Sequence, residues 1–349
     1  LVKKIKVLIV DDSKTIRALI KHAFQKCPEL EVCGEAANPM EARDIIVKDQ
    51  PDVITLDVEM PGMNGLQFLD KIMRLRPIPV VMVSSLTERG ANIAIKALQM
   101  GAFDCFPKGQ GATGADAFAG LARIVVQAAH SKPGSQSIRR EMSGQVGGRI
   151  SANGTGNWRH MFDVVAIGSS TGGVEAVEDV LRNLPQSSPP IVICQHMPRL
   201  FTASFASRLN QIIPQFGIEE AKDGEVMRPG MVRIAPGGDM HLVVDKTGGS
   251  ICTRFFKAPP VSGHVPSVDV LFTSVAENIG RNALGIILTG MGRDGAEGLL
   301  SMRRIGCRTI AQDRQSAVVY GMPRVAAEIG AAEQICSLKQ IPYTAMTML

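Results

Sequence analysis

A chain of 349 residues, 45% hydrophobic and 20% charged, is long enough for about two globular domains, each able to bury its own core. No apolar run approaches the roughly 20 residues of a membrane span, and the run after Lys3, Lys4 and Lys6 ends at Asp11 and Asp12, too early for a signal peptide; a cytoplasmic protein without membrane insertion is expected. Seven scattered cysteines without a Cys-x-x-Cys pair imply neither a zinc site nor a disulfide framework. Of the net charge of +5, +4 lies between His130 and His160, so the remainder is near neutral and lacks the basic face a nucleic-acid-binding domain requires.

From the N-terminus, strand-like runs at Ile5–Val10, Val32–Gly34, Val53–Leu56, Val80–Val83 and Asp104–Phe106 alternate with helical segments of ten or more residues. Five βα units predict a doubly wound parallel sheet whose ligands bind beyond the C-terminal ends of its strands. Polar residues stand at those ends: Asp11 and Asp12 after the first strand, Asp57 after the third, Ser84 closing the fourth and Lys108 after the fifth. Carboxylates gathered at one sheet edge repel one another unless a cation joins them, and an all-oxygen site suits Mg²⁺. With a metal held by Asp11, Asp12 and Asp57, the Asp57 carboxylate can attack a phosphoryl group, Lys108 can offset the added charge, and the Ser84 hydroxyl can bond a phosphoryl oxygen. A plainer reading makes Asp12 or Ser13 the cap of the following helix.

The segments Val10-Asp11-Asp12-Ser13, Leu56 to Gly65, Met82-Val83-Ser84-Ser85 and Lys108 resemble a two-component response-regulator receiver over residues 1–125. That resemblance implies that Asp57 is the phosphoacceptor and a histidine kinase the phosphodonor. Two positions depart from the pattern: Gly109 follows Lys108 where proline is usual, and Cys105 replaces an aromatic residue. Residues 126–157, rich in glycine and serine and basic through Lys132, Arg139, Arg140 and Arg149, read as a flexible linker.

In the remainder, residues 158–349, strand candidates lie at Val164–Ile167, Ile191–Cys194, Val232–Ala235, Leu242–Val244, Leu284–Leu288 and Arg308–Ala311. They predict a second α/β doubly wound sheet, mainly parallel. The first candidate runs into Gly168-Ser169-Ser170-Thr171-Gly172-Gly173, a strand-to-helix turn that exposes a serine oxygen near the free N–H groups of a helix start. Such turns also serve as phosphate cradles, although no P-loop or Gly-x-Gly-x-x-Gly pattern occurs here. His196 ends the second candidate strand and Asp294 follows a later one, so parallel neighbouring strands would bring Ser170, His196 and Asp294 to one edge as nucleophile, base and orienting carboxylate. Spacing alone leaves Asp239, Asp269 and Asp313 as rival carboxylates, Ser169 as a rival hydroxyl, and Asp294 as a simple helix cap.

The segments Val165 to Gly173, Gln195-His196-Met197-Pro198, Ile234 to Gly237, Pro266 to Phe272 and Ile287 to Gly295 together resemble the catalytic domain of the chemotaxis protein-glutamate methylesterases, the CheB family. The resemblance implies a phosphorylation-activated serine esterase that hydrolyses γ-glutamyl methyl esters of methyl-accepting chemoreceptors, extending to deamidation of receptor glutamines. It implies Ser170 as nucleophile, His196 as base, Asp294 as its partner and the N–H of Met291 as an oxyanion donor. No cofactor is expected for ester hydrolysis, and Mg²⁺ is expected only in the receiver. Ser169 stands where alanine is common and Arg293 where asparagine is usual.

Overall fold

A computed structural model describes residues 3–60, 64–85, 87–108, 117–131 and 161–348. The expected linker from 132 onward and Gly109 lie outside these residues. The chain divides into two compact units, residues 1–149 and 150–349.

In the first unit the predicted alternation is complete: β1 (Ile5–Val10), α1 (Lys14–Gln25), β2 (Leu30–Ala36), α2 (Pro39–Asp49), β3 (Val53–Asp57), α3 (Gly65–Leu75), β4 (Val80–Ser84), α4 (Glu88–Gln99), β5 (Asp104–Pro107) and α5 (Ala119–His130). The five strands pair in parallel in the order β2-β1-β3-β4-β5. Strand order reverses beside β1, and the crevice outside β1 and β3 is where such a sheet binds ligands. Val7 to Val10 and Val53 to Asp57 are buried, as strands covered on both faces must be. Helix α5 continues to His130, past the expected boundary at 125, so the first residues of the expected linker are helical.

The second unit contains β6 (Val164–Ser169), α6 (Gly173–Asn183), β7 (Ile191–Gln195), α7 (Arg199–Ile212), β8 (Gly217–Glu220), β9 (Met231–Ile234), β10 (His241–Thr247), β11 (Ser250–Phe256), α8 (Val268–Ile279), β12 (Ala283–Ile287), α9 (Ala296–Arg304), β13 (Arg308–Gln312), α10 (Met322–Glu328), β14 (Gln334–Cys336) and α11 (Ile341–Thr347). Seven strands form one sheet in the order β14-β13-β12-β6-β7-β9-β8, every neighbouring pair parallel. The run around Leu242 to Val244 is not in this sheet. It belongs to β10, which pairs antiparallel with β11 in a separate ribbon whose inner residues Leu242, Val244, Ile251 and Cys252 are buried against α8 and the sheet. The chain builds outward from β6 on one side and returns to lay β12 on the other, so the reversal falls between β6 and β12.

Helix α8 begins against the central strand. A methyl group on Gly168 would stand 2.2 Å from Val268 Cγ1, closer than carbon atoms approach, so glycine here permits the contact. Gly295 faces the same valine from the other side, at φ +90°, a conformation that side-chain-bearing residues rarely adopt. The start of α8 is thereby fixed between the ends of β6 and β12.

Candidate active site

Parallel pairing decides which residues share the sheet edge. Gly168 stands opposite Ile287 on one side and Cys194 on the other, and Ser169 opposite Gln195. One step further, His196 N donates to Ser169 O at 3.1 Å and Ser170 N to Thr289 O at 3.0 Å, so residues 170, 196 and 289 leave the sheet side by side. Gly290 lies against Ser170, where an added methyl would be 2.8 Å from Ser170 Cβ.

Alternation along the strand separates the two hydroxyls. Ser169 is fully buried and its Oγ donates to Gln195 Oε1 at 2.5 Å, while Gln195 Nε2 donates to Ser170 O at 2.8 Å. The Ser169 hydroxyl is therefore committed to holding the turn. Ser170 is half-buried, and its Oγ makes no hydrogen bond among the described residues.

His196 Nε2 lies 2.7 Å from Asp294 Oδ2. Asp294 also accepts from Ser267 Oγ at 2.7 Å, Val268 N at 2.8 Å and Asp269 N at 3.1 Å. Burial pushes the Asp294 carboxyl up, but the bonds from His196, Ser267 and Val268 outweigh it and hold it down at about 2. An ionised carboxylate only accepts, so Nε2 carries the ring proton and Nδ1 is the basic nitrogen. Nδ1 is buried and has no hydrogen-bond partner among the described residues. Asp294 does not cap the helix after it; Gly295 is the N-cap of α9, and Asp294 instead sits on the N-terminus of α8, whose dipole favours its charge.

The rival carboxylates have other occupations. Asp239 forms an exposed pair with Lys257 at 3.6 Å, and Asp313 accepts from Ser316 N and Oγ in its own turn. Asp269 accepts from Gly298 N at 2.8 Å, and burial with the adjacent Asp294 charge raises its carboxyl to about 6 against the bonds from Gly298 and Gly295. Arg293 reaches outward to Glu297 at 2.9 Å, away from the His196 and Asp294 pair. Met291 N–H, the residue after the glycine packed on Ser170, has no acceptor among the described residues, while Gly290 N donates to Val319 O and Met322 N to Gly290 O on either side of it.

Two further histidines take part. His241 is fully buried; its Nδ1 accepts from Ser267 N at 3.1 Å and its Nε2 donates to Pro259 O at 3.2 Å, which fixes a neutral imidazole behind Asp294. His264 stacks on His196 with ring centroids 3.7 Å apart and planes inclined by 6°. Neither follows a predicted strand of the sheet, so position at a strand end could not have identified them. Ser267 lies inside a segment that carried the family resemblance and was legible only there.

In the first unit, ligand atoms of Asp11, Asp12 and Asp57 lie within 4.8 Å of one another, an all-oxygen group that can hold a metal ion. Ser13 caps α1, accepting from Ile16 N, and leaves the exposed Asp12 carboxylate to the cluster. Lys108 Nζ lies 2.8 Å from Asp11 Oδ2 and 2.9 Å from Asp57 Oδ1. Burial raises the Asp57 carboxyl despite Lys108, whereas for Lys108 burial pulls down and the bonds to Asp11 and Asp57 outweigh it, raising the ammonium. Ser84, fully buried at the end of β4, donates from Oγ to Ser85 O at 3.3 Å. Cys105 Sγ donates to Ala94 O at 3.4 Å, and burial pushes its thiol well up.

The CheB methylesterase family model matches residues 165–344 and the response regulator receiver domain matches residues 7–113. The chain is 51% identical to the protein-glutamate methylesterase/protein-glutamine glutaminase 1 of Caulobacter vibrioides, covering 97% of this chain and 96% of that one. It is 52% identical to the protein-glutamate methylesterase/protein-glutamine glutaminase of Agrobacterium fabrum, covering 96% and 94%. The solved Thermotoga maritima CheB methylesterase catalytic domain aligns with 54% of this chain and 99% of its own, at 36% identity and a TM-score of 0.52. The serine turn, the paired histidine and aspartate, and the acidic cluster all lie within the matched ranges, and the chain belongs to the CheB methylesterase family, with a response-regulator receiver ahead of its methylesterase domain.

Proposed function

We propose that this protein is a serine hydrolase that removes methyl groups from γ-glutamyl methyl esters of methyl-accepting chemoreceptors in the cytoplasm and deamidates receptor glutamines at the same site. The observation that carries the reading is the polarised imidazole: Nε2 is committed to Asp294, Nδ1 has no partner among the described residues, and His196 leaves the sheet beside Ser170. Ser170 Oγ attacks the ester carbonyl as His196 Nδ1 takes its proton. The Met291 N–H donates to the oxyanion of the tetrahedral intermediate. His196 returns the proton to the departing methoxy oxygen, methanol leaves, and water attacks the acyl-serine with the same histidine as base, freeing the glutamate. A glutamine side chain follows the same course with ammonia as leaving group. No cofactor enters this reaction.

In the receiver, residues 1–125, Asp57 accepts a phosphoryl group from a chemotaxis histidine kinase. Asp11, Asp12 and Asp57 suit Mg²⁺, which when bound neutralises phosphoryl charge. Lys108 and the Ser84 hydroxyl bond the phosphoryl oxygens, and the basic linker, residues 126–157, joins this domain to the esterase, residues 158–349. Methanol release from methylated receptor membranes tests the esterase. The Ser170→Ala enzyme should lose roughly 10³-fold or more of the rate, the usual cost of removing a triad nucleophile; near-normal release would refute the assignment.

A further inference from the structure

The imidazole of His196 is held at its edge by Asp294, which leaves its faces to other neighbours. On one face lies His264, its ring nearly parallel at 3.7 Å between centroids. His264 is carried by a tight turn closed by two backbone bonds, His264 N to Val261 O at 2.9 Å and Val261 N to His264 O at 3.2 Å, with Ser262 at φ 52° and Gly263 at φ 82° between them. Three residues later the same segment supplies Ser267, which bonds Asp294 and is itself anchored by the buried His241. One loop thus grips both the face of the base and the carboxylate at its edge.

From this geometry we infer that His264 is a positioning residue for the general base, its ring acting as a plate that keeps the His196 imidazole oriented while the proton is in transit. The inference rests on the esterase reading above. A ring held by a single edge bond can still swing about its side-chain torsions, and such a swing carries Nδ1 away from Ser170. Flat contact with a second ring opposes that motion. Once Nδ1 has taken the Ser170 proton, the imidazolium lies against an aromatic face, an arrangement that favours the cation. The loss on removing the plate therefore falls on the chemical step rather than on substrate binding.

The test uses the full-length enzyme, phosphorylated with a small phosphodonor, and methanol release from methylated receptor membranes. His264→Ala should lower kcat by about 10–100-fold, the scale set by a misplacement near 1 Å, with KM within roughly twofold. His264→Phe keeps a flat ring without nitrogen atoms and should recover kcat to within a few-fold of the parent; His264→Gln keeps hydrogen-bonding capacity without the ring and should stay as slow as the alanine enzyme. A wild-type kcat in His264→Ala, or rescue by Gln and not by Phe, would overturn the inference while leaving the esterase standing. An unsubstituted enzyme that releases no methanol would remove both.

Discussion

The division of labour between Ser169 and Ser170 turns on one strand step. Residue 169 is still within β6 and points into the sheet, where Gln195 receives it; residue 170 has left the strand and faces the edge. Spacing in the sequence cannot separate adjacent serines, because the distinction lies in where a strand ends, and strand ends are the least regular part of a hydrophobic pattern. The rival aspartates were unresolved for a related reason: which carboxylate meets His196 depends on backbone N–H groups at the start of α8, a contact between segments 25 to 27 residues apart. Asp269 carries a consequence of its own. Its carboxyl rises from an ordinary 3.8 to about 6 in the fold, so the folded state holds more protons than the unfolded one in that window, and stability falls as pH rises through it. Asp269→Asn abolishes this slope. Its advantage in urea unfolding over the parent should grow between pH 4 and 6 and level off above, at about 3 kcal/mol. A pH-independent difference would show that Asp269 is not the group responsible.

Helix α6 is set against the sheet by contact rather than by a cap. No side chain caps its N-terminus, and Gly173 at its first position comes so close to the Ser169 and Gln195 pair that a methyl group would stand 2.0 Å from Gln195 Oε1. Gln195 cannot move aside without releasing the Ser170 carbonyl. Gly173→Ala should therefore cost about 1–3 kcal/mol of stability, as overpacking a filled site does. It should also lower kcat, read by urea denaturation and methanol release; an alanine enzyme equal in both would show that the helix tolerates retreat. The strand-to-helix turn in the sequence anticipated a helix start here, and the buried Val174, Val177, Val180 and Leu181 repeat with helical spacing. Elements whose stability comes from neighbours were harder to see. Strand β8 offers Gly217-Ile-Glu-Glu, with a single apolar side chain, and exists by pairing with β9. Strand β14 has three residues with no fully buried side chain and pairs only with β13.

For the whole molecule, the two parallel sheets were legible from apolar runs alternating with helices, and their polar strand ends marked both candidate sites. The separate ribbon of β10 and β11 was not, since Leu242 to Val244 reads alike in a sheet or a hairpin and only the antiparallel partner decides. Control by the receiver is a property of the complete chain. With Mg²⁺ and a small phosphodonor, methanol release by the parent should rise while Asp57→Asn stays at its basal rate. Even a tenfold rise asks for only about 1.4 kcal/mol of preference for the active state. An Asp57→Asn enzyme that still responds would move the phosphoacceptor elsewhere.

His196 and Asp294 are separated by 98 positions, and the strand that delivers the carboxylate is laid beside β6 only after the chain has gone out to β8 and back. Contacts between such distant segments close late, because the intervening chain must first be ordered. A growing polypeptide on the ribosome consequently carries Ser170 and His196 long before Asp294 has been synthesised, so the proposed hydrolase site stays incomplete until the domain is nearly finished.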